Sequence, residues 1–345
     1  MSPPAAPPAS ASELKPPDTE WVERFRRDFD TLCVRAVGGA LPDGTSVALA
    51  VSGGPDSMAM LLLAAAAFPG QVLAATVDHG LRPEAAGEAA MVAAVCAGLG
   101  VPHETLSPAA PIAGSSMQKQ AREARYDALL SWAERCGAYP LLTAHHADDQ
   151  AETLLMRLNR ASGVAGLSGI RPWRFEQNCL LLRPLLGWRR GRLRMIAEAA
   201  GVPWVDDPSN EDPRHDRTQV RMFLTHQTLL DPAALAESAA HIAETEEALE
   251  ALTRMFEADR WYGRKCLLRA ADLPRELQRR LVRRAVAETR AVHGILLPPF
   301  SDAANVEPLL DALEAGRPAT QAGVMVTPER DGRWHFAPAP PRRSH

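Results

Sequence analysis

The sequence S-G-G-P-D-S at residues 52–57 separates an apolar segment, 47–51, from a helix-like segment, 58–67. A strand, a glycine turn and a helix in this order place backbone N–H groups and the positive end of a helix around one concavity, which suits a phosphate or pyrophosphate group. Gly53 and Gly54 let the chain turn tightly and let an anion approach the backbone without a Cβ in the way. The segment therefore predicts an α/β fold with a phosphate site at the end of a strand.

The other residues of this loop refine the prediction. Ser52 and Ser57 add hydroxyl donors, and Pro55 suits the first turn of a helix, where its missing N–H costs little. Asp56 would repel phosphate groups unless a cation lay between them, so we predict that it holds Mg²⁺ together with the nucleotide. An ordinary strand-to-helix turn with a serine cap is the structural alternative for so short a motif.

The loop differs from two common nucleotide-binding motifs. No G-K-[ST] follows it, as in a Walker motif, and it lacks the G-x-G-x-x-G of dinucleotide-binding folds. A pyrophosphate cradle without a lysine suits enzymes that cleave ATP between the α and β phosphates. The loop would then hold the departing pyrophosphate while a nucleophile attacks the α-phosphorus in line.

Composition limits the class of protein. The 345 residues are 23% charged and 46% hydrophobic, with a net charge of −4, and no apolar stretch approaches the ~20 residues of a membrane span. Residues 1–18, rich in Pro, Ala and Ser, predict a disordered tail and not a signal peptide. The five cysteines are scattered and form no C-x-x-C, so neither disulfides nor a zinc site is indicated. We expect a cytoplasmic protein without a membrane partner.

From about residue 21 to 170, short apolar runs alternate with helical patterns, which indicates a doubly wound parallel sheet. The predicted strands are Val47–Val51, Gln71–Val77, Val101–Thr105 and Tyr139–Thr143, and the predicted helices are Ser57–Ala67, Glu84–Leu99 and Gln118–Cys136. Sheets of this class bind ligands beyond the carboxyl ends of their strands. Polar residues follow three of these strands, at 52–57, 78–80 and 145–146, which predicts one shared crevice.

A second cluster of polar residues, H-H-A-D-D-Q-A-E-T, occupies 145–153 and opens a helix. Asp149 and Glu152 are three residues apart, and Asp148 and Glu152 are four apart, so two carboxylates can point to one spot. The pattern alone leaves three interpretations open: acidic capping of the helix dipole, nucleotide-site chemistry, or direct ligation of a transition metal. The neighbouring glycine loop favours the nucleotide site.

Seven stretches, in one order, resemble the tRNA(Ile)-lysidine synthetase family of the PP-loop ATPase superfamily. They are S-G-G-P-D-S, V-D-H-G-L-R at 77–82, A-R-E-A-R-Y at 121–126, A-H-H-A-D-D-Q-A-E-T at 144–153, R-A-S-G-V-A-G-L-S-G-I at 160–170, R-P-L-L at 183–186 and D-P-S-N at 207–210. The glycine loop alone marks only the superfamily, whereas the later motifs are much more specific. The resemblance implies an adenine nucleotide α-hydrolase-like sheet followed by a smaller helical domain and a short C-terminal tail.

The resemblance also implies an ATP-dependent ligase. Members of that family adenylate the C2 oxygen of the wobble cytidine in the isoleucine tRNA with a CAU anticodon, which releases pyrophosphate. The amino group of free L-lysine then displaces AMP and leaves lysidine. The implied cofactors are ATP and Mg²⁺, and the implied partners are this tRNA and free L-lysine.

Matching positions carry the family's roles onto this sequence. ATP would be bound by Ser52, Gly53, Gly54, Pro55, Asp56, Ser57, Arg122 and Arg125. Asp149 and Glu152 would receive lysine and, together with Asp56 near Mg²⁺, form the catalytic set. Because the lysine amine has a pKa of ~10.4, it needs a base or a charged partner before it can attack.

Segment 171–221 is rich in arginine, with three tryptophans interleaved at 173, 188 and 204. Such a composition suits phosphate contacts and the stacking of loop bases; a solvated arginine face over core tryptophans is the alternative. We predict that Arg183, Arg217 and Arg221 contact the tRNA or the reacting cytidine. Thr218 stands where the family's R-N-x-x-R pattern has Asn, which keeps the charge but changes the local geometry.

The chain is predicted to comprise a tail at 1–18, a PP-loop ATPase domain at 19–225, a helical tRNA-binding domain at 226–300 and an abbreviated C-terminal module at 301–345. An arginine group at 275–284 on a predicted helix is either an RNA contact or a solvated face. The rival functions are a related tRNA thiolase, a nucleotide synthetase, a metal-dependent hydrolase and a catalytically silent tRNA-binding relative. A thiolase would need paired cysteines, and none of the five has another nearby in sequence.

Overall fold

The computed structural model describes residues 14–80, 83–108, 117–206, 216–301 and 303–340. The chain forms two compact units, Met1–Ala243 and Glu244–His345, so the division falls at neither of the predicted boundaries, 225 and 300. None of the helices within the described ranges is long and apolar enough to cross a membrane.

The first unit is a sheet covered by helices, as the alternating pattern predicted. Its helices are α1 (Thr19–Val37), α2 (Pro55–Ala67), α3 (Ala85–Gly98), α4 (Met117–Arg135), α5 (Ala147–Leu158), α6 (Val164–Leu167), α7 (Arg190–Ala200) and α8 (Asp216–His226), and α9 (Pro232–Arg260) begins in this unit. Its strands are β1 (Val47–Ala50), β2 (Val72–Val77), β3 (His103–Leu106), β4 (Leu141–Leu142), β5 (Trp173–Glu176) and β6 (Cys179–Leu182).

The order of the strands determines where a ligand can bind. They lie in the order β3-β2-β1-β4-β6-β5, and every neighbouring pair is parallel except β5 with β6. The chain moves outward from β1 to β3 and then returns to β4 on the other side of β1. This reversal is the switch point at which open α/β sheets hold ligands. The predicted doubly wound parallel sheet is confirmed. The sequence analysis missed two of its strands, β6 and the antiparallel edge strand β5.

Helix α2 is held rigidly because apolar residues occupy all of its sides. Ten of its thirteen residues are buried, and it packs against α1, α7 and β2. Trp188 belongs to the same core and is fully buried; its ring packs edge-on against Trp21 and its indole N–H donates to Asp28. The core interpretation therefore holds for this tryptophan, and the RNA-stacking interpretation does not.

The second unit combines helices with an antiparallel sheet. It contains the rest of α9, α10 (Arg275–Val292), α11 (Glu307–Glu314), a short 3₁₀ helix (Gly263–Lys265) and the strands β7 (Trp261–Tyr262), β8 (Leu267–Leu268), β9 (Ala319–Gln321), β10 (Val324–Pro328) and β11 (Trp334–Pro338). The strands lie in the order β7-β8-β11-β10-β9.

Residues on both sides of position 300 share one hydrophobic core in this unit. Leu281 and Val286 of α10 pack in the same cluster as Val326, Trp334 and Phe336 of the C-terminal strands. Strand β8, from the region predicted as helical, pairs with β11 of the predicted module. The sequence analysis missed β7 and β8 because two-residue strands carry no readable alternation.

The arginines of α10 are neither a free basic surface nor a simple solvated face. Within the described residues each contacts an acidic side chain or a backbone carbonyl. The contacts are Arg275 with Glu307, Asp311 and Glu314; Arg279 with Glu276 and Glu307; Arg280 with Glu246, Glu250 and Glu276; Arg283 with the carbonyl of Ala304; Arg284 with Glu250 and Glu257; and Arg290 with the carbonyls of Leu296, Pro298 and Ala322. These contacts join α10 to the other elements of this unit.

Candidate active site

A cavity of about 730 Å³ opens beyond the carboxyl ends of β1 and β4, at the switch point of the sheet. The structure brings together there the three polar strand ends predicted to converge. The charged and polar residues that line the cavity include Ser52, Asp56, Ser57, His79, Arg122, Arg125, His145, His146, Asp149, Arg217 and Arg221. Every lining residue belongs to the first unit.

The glycine loop has the geometry of an anion site. Gly53 has φ +84°, which a residue with a Cβ rarely adopts. Gly54 is the N-cap of α2 and caps the helix with no side chain, so the first N–H groups of α2 are left for a ligand. Ser57 shapes the loop, since its hydroxyl accepts the N–H of Ser52 and donates to the carbonyl of Gly54.

Asp56 carries the clearest sign of a cation site. Its Oδ1 is buried and has no hydrogen-bond partner within the described structure, and its Oδ2 lies 3.4 Å from Nε2 of His146. A buried carboxylate oxygen without a donor is costly, and a hard cation shared with phosphate oxygens would satisfy it.

His146 links the glycine loop to α5. Its Nδ1 accepts the N–H of Asp149, and Asp149 in return accepts the backbone N–H of His146, which makes a capping box. Burial works against a charge on this ring, but Asp149, Asp56 and Asp148 outweigh it and raise the pKa of His146. Because Nδ1 accepts a hydrogen bond, the proton of the neutral ring lies on Nε2, which faces Asp56.

His145 behaves in the opposite way. Burial, assisted by the nearby arginines, lowers its pKa to about 3, and its Nδ1 lies 3.0 Å from the hydroxyl of Thr143. His145 is therefore a neutral hydrogen-bonding group at the wall of the cavity. The H-H motif was visible in the sequence, but neither histidine was predicted as a site residue.

Two arginines of α8 contact the two carboxylates predicted to receive lysine. Arg217 donates from Nη2 to Asp149 at 2.5 Å and from Nε to Glu152 at 2.7 Å, and Arg221 donates from Nε to Glu152 at 2.7 Å. Glu152 is only 2% exposed. We call this set of four residues the arginine clamp.

The opposite charges of the arginine clamp keep one another ionised. Although burial works the other way, His146 and Arg217 hold the pKa of Asp149 below its usual range. Burial also opposes the charge of Arg217, but Asp149 and Glu152 raise its pKa. Asp149 is thus a firmly ionised carboxylate and a weak base while the clamp is formed.

Asp148 does not join this pair. It accepts hydrogen bonds from the guanidinium of Arg189 and from the backbone N–H of Arg190, at the start of α7. Of the two spacings considered in the sequence, only the one between Asp149 and Glu152 brings carboxylates to a common partner. Asp148 joins the start of α5 to the start of α7.

The other predicted arginines divide into two groups. Arg122 and Arg125 line the cavity, as expected for phosphate contacts, with Arg122 also lying over the ring of Tyr126. Arg183 is 3% exposed, donates to the carbonyl of Arg171 at 2.6 Å and is not among the lining residues. Arg183 therefore supports the wall of the cavity, and its predicted contact with the tRNA or the cytidine stays a prediction.

The motif S-G-V-A-G-L-S-G at 162–169 supports α5 from outside the cavity. The side-chain amide of Gln150 donates to the carbonyl of Ile170 at 2.9 Å and accepts its N–H at 2.6 Å. Gly169 has φ +67°, and a Cβ there would lie 2.3 Å from Oε1 of Gln150. Sequence reasoning missed Gln150, because a glutamine inside a helix carries no signal of its distant partner. The motif D-P-S-N lies outside the described residues.

Comparison with known proteins decides the family. The PP-loop domain family matches residues 23–228. A tRNA(Ile)-lysidine synthase of Novosphingobium aromaticivorans is 43% identical over 334 residues, covering 93% of this chain and 94% of its own. Another, of Zymomonas mobilis, is 41% identical over 320 residues, covering 89% and 93%. The chain belongs to the tRNA(Ile)-lysidine synthase family. The family resemblance predicted from the sequence is thereby confirmed.

A solved structure outside the tRNA(Ile)-lysidine synthase family shares the fold. The U34-tRNA thiolase NcsA of Methanococcus maripaludis superposes with a TM-score of 0.52 at 16% identity, covering 65% of this chain and 78% of its own. At this identity the likeness concerns the fold alone. No group of three or more His, Cys, Asp or Glu residues in the described ranges is arranged to hold a metal.

Proposed function

We propose that this protein joins free L-lysine to C2 of the wobble cytidine of an isoleucine tRNA with a CAU anticodon, at the expense of ATP, releasing AMP and pyrophosphate. One observation carries the proposal: a single cavity combines the N-terminus of α2, which no side chain caps, with the carboxylate of Asp149, which shares Arg217 with the buried Glu152. Family membership supports the same reaction.

The glycine loop would hold the outer phosphates of ATP. The free N–H groups at the start of α2 and the hydroxyl of Ser52 face the cavity, and Arg122 and Arg125 line it from α4. These positive groups stabilise the departing pyrophosphate. The α-phosphorus is then left open to the C2 oxygen of cytidine.

Asp56 would hold Mg²⁺ together with the phosphates. Its buried Oδ1 has no partner within the described structure, and one carboxylate plus nucleotide oxygens is a common way to bind this ion. Bound there, the ion would neutralise charge on the phosphate groups. The Nε2–H of His146 would keep Oδ2 of the same carboxylate oriented.

The carboxylates of Asp149 and Glu152 would bind the ammonium of lysine. The amine has to lose a proton before it attacks C2, and an ionised carboxylate beside it is the nearest acceptor. The attack forms the new C–N bond and breaks the bond to the AMP oxygen, so AMP leaves with the electron pair. We further propose that the protein works in the cytoplasm, where tRNA and free lysine are both present.

Transfer of radiolabelled lysine to a CAU-anticodon tRNA transcript tests this function. We expect labelling that requires ATP, with one AMP formed for each lysine attached. A transcript with uridine at the wobble position is the control and should remain unlabelled. Labelling without ATP, or none with it, would contradict the proposal.

A further inference from the structure

Resting on the proposed function, we infer that Arg217 and Arg221 occupy the lysine site until phosphate groups draw them away. The substrate amine then binds after a phosphate-bearing substrate and not before it. Arg217 and Arg221 are thus positioning residues that couple two parts of the same cavity.

The arginine clamp already uses the oxygens that lysine would need. Oδ1 of Asp149 accepts from Arg217, and Oδ2 accepts the backbone N–H of His146. Oε1 of Glu152 accepts from Arg221, and Oε2 accepts from both arginines. All four oxygens have a donor, and the carboxylate of Glu152 is buried beneath both arginines, so an ammonium that reaches it has to displace a guanidinium.

The burial of Glu152 makes this displacement an exchange of cations. A carboxylate that is 2% exposed is strongly destabilised when its partner is removed and nothing replaces it. The arginines can therefore leave only as another cation arrives. The lysine ammonium is such a cation, whereas an uncharged amino acid side chain of the same length is not.

Arginines that leave the carboxylates of Asp149 and Glu152 also need another anion to pair with. Both line the cavity that contains the glycine loop, and the side chain of Arg217 is 40% exposed there. A guanidinium fork matches phosphate oxygens in two parallel hydrogen bonds. A continuous set of contacts, Asp56 to His146 to Asp149, joins the loop to the clamp.

This arrangement predicts positive coupling between phosphate and lysine. Coupling of this kind is reciprocal and usually amounts to about 5- to 150-fold in affinity. The phosphate could belong to the nucleotide or to the RNA backbone, and separate arms of one experiment distinguish these sources.

Equilibrium dialysis of radiolabelled L-lysine against the full-length protein tests the inference. The four arms are protein alone, protein with Mg²⁺ and α,β-methylene-ATP, protein with the tRNA transcript, and protein with both. We expect lysine to bind at least about tenfold more tightly in a phosphate-bearing arm than to protein alone. L-norleucine, which lacks the ammonium, should bind in none of them.

The variant Arg217→Gln separates the clamp from a merely structural contact. It should bind lysine about tenfold more tightly than the wild type in the absence of phosphate, and phosphate should then change its affinity by less than about threefold. The matched control is Arg135→Gln, which removes an exposed arginine paired with Glu104 outside the cavity and should behave like the wild type.

The wild-type arms decide the question even if Arg217→Gln does not fold. Equal lysine affinity in all four arms, with lysidine still formed, would overturn the coupling and leave the proposed function intact. Absence of lysine binding in every arm, together with no transfer to tRNA, would overturn both.

Discussion

Asp148 and Asp149 are adjacent in sequence but have different partners. This difference decides which of the two carboxylates is paired with Glu152 in the site. The first is held by Arg189 and Arg190 at the start of α7, and the second by Arg217 of α8. Successive residues of a helix point about 100° apart, so neighbouring side chains reach different elements. Only Asp149 shares a partner with Glu152, three residues further along the same face.

We expect Asp149→Asn or Glu152→Gln to abolish lysine transfer while leaving adenylation of the tRNA. The amide keeps the shape of the side chain but can neither attract the ammonium nor accept its proton, so transfer should fall by at least about 100-fold. Lysine transfer and lysine-independent release of pyrophosphate should be measured separately. Glu104→Gln, at an exposed pair outside the cavity, is the control. More than a tenth of normal transfer would contradict the role.

His145 should make the protein less stable in mild acid. Its pKa is about 3 in the folded chain and 6.5 ordinarily, so below pH 6.5 the unfolded chain binds a proton that the folded chain does not. The free energy of unfolding therefore falls as the pH drops through this window. Between pH 7.5 and 5, His145→Asn should lose about 1–2 kcal/mol less than the wild type.

Urea unfolding at several pH values checks this expectation. His146 has the opposite shift, with stability that is present at low pH and lost as the pH rises through its folded pKa. Because both proteins keep His146, its contribution cancels in the comparison. Parallel curves for the wild type and His145→Asn would rule out the assigned cause.

At the scale of elements, helix α5 orients the carboxylates of Asp149 and Glu152 because it is fixed on several sides. Its first turn is capped by His146, and Asp148 joins it to α7. Gln150 holds it to the loop before β5 through two hydrogen bonds to Ile170. Glu152 then presents its carboxylate to α8. Several fixed contacts restrict the helix more than one would, which suits a site that needs accurate geometry.

Gly169→Ala should disturb this support, and Gly201→Ala provides a matched control. Both glycines have positive φ, +67° and +72°, so alanine strains the backbone at either one. At Gly201 the new Cβ meets nothing within 4 Å, whereas at Gly169 it would lie 2.3 Å from Oε1 of Gln150. We expect a loss of about 1 kcal/mol at Gly201 and about 2–4 kcal/mol at Gly169, where the amide pair is broken as well.

Chemical unfolding of the two variants measures this difference. Gly169→Ala should also weaken lysine transfer, because α5 carries Asp149 and Glu152. Equal destabilisation of the two variants would mean that the contact between Gln150 and Ile170 contributes little.

For the whole molecule, the two units use arginine differently. The first unit turns Arg217, Arg221, Arg122 and Arg125 toward a cavity. In the second, several arginines of α10 pair with acidic side chains of α9 and α11, and Arg280 and Glu246 form a buried pair. Ion pairs that join α10 to its neighbours leave less charge for nucleic acid than the sequence alone indicates. The role of this unit in tRNA binding stays a prediction.

Arg280→Met should destabilise the second unit strongly. The arginine and Glu246 are only 9% and 5% exposed in their side chains, so removing one partner leaves a buried charge and costs about 3–5 kcal/mol. The double variant Arg280→Met with Glu246→Leu should recover most of this loss. Arg254→Gln, at an exposed pair on α9, should change stability by less than about 1 kcal/mol. Thermal unfolding measures all three, and a double variant no better than the single one would contradict this account.

The sequence by itself determined the fold class of the first unit and its family. The apolar segments and the glycine turn predicted strands β1 to β4 of the parallel sheet and the end at which ligands bind, because these depend on local periodicity and on short connections, whereas β5 and β6 were missed. The motif residues Asp56, Arg122, Arg125, Asp149, Glu152, Arg217 and Arg221 were all identified from local patterns or resemblance. All of them except Glu152 line one cavity, and the buried Glu152 accepts hydrogen bonds from Arg217 and Arg221.

Tertiary structure alone decided the partners of these residues. That the two arginines of α8 contact the carboxylates of α5, that Arg183 is buried in the wall, and that residues on both sides of position 300 share a core are consequences of contacts between distant segments. Such contacts depend on how helices and strands pack in three dimensions. A local sequence pattern predicts which residues of a helix or strand face the interior, but it does not predict which residues they contact there.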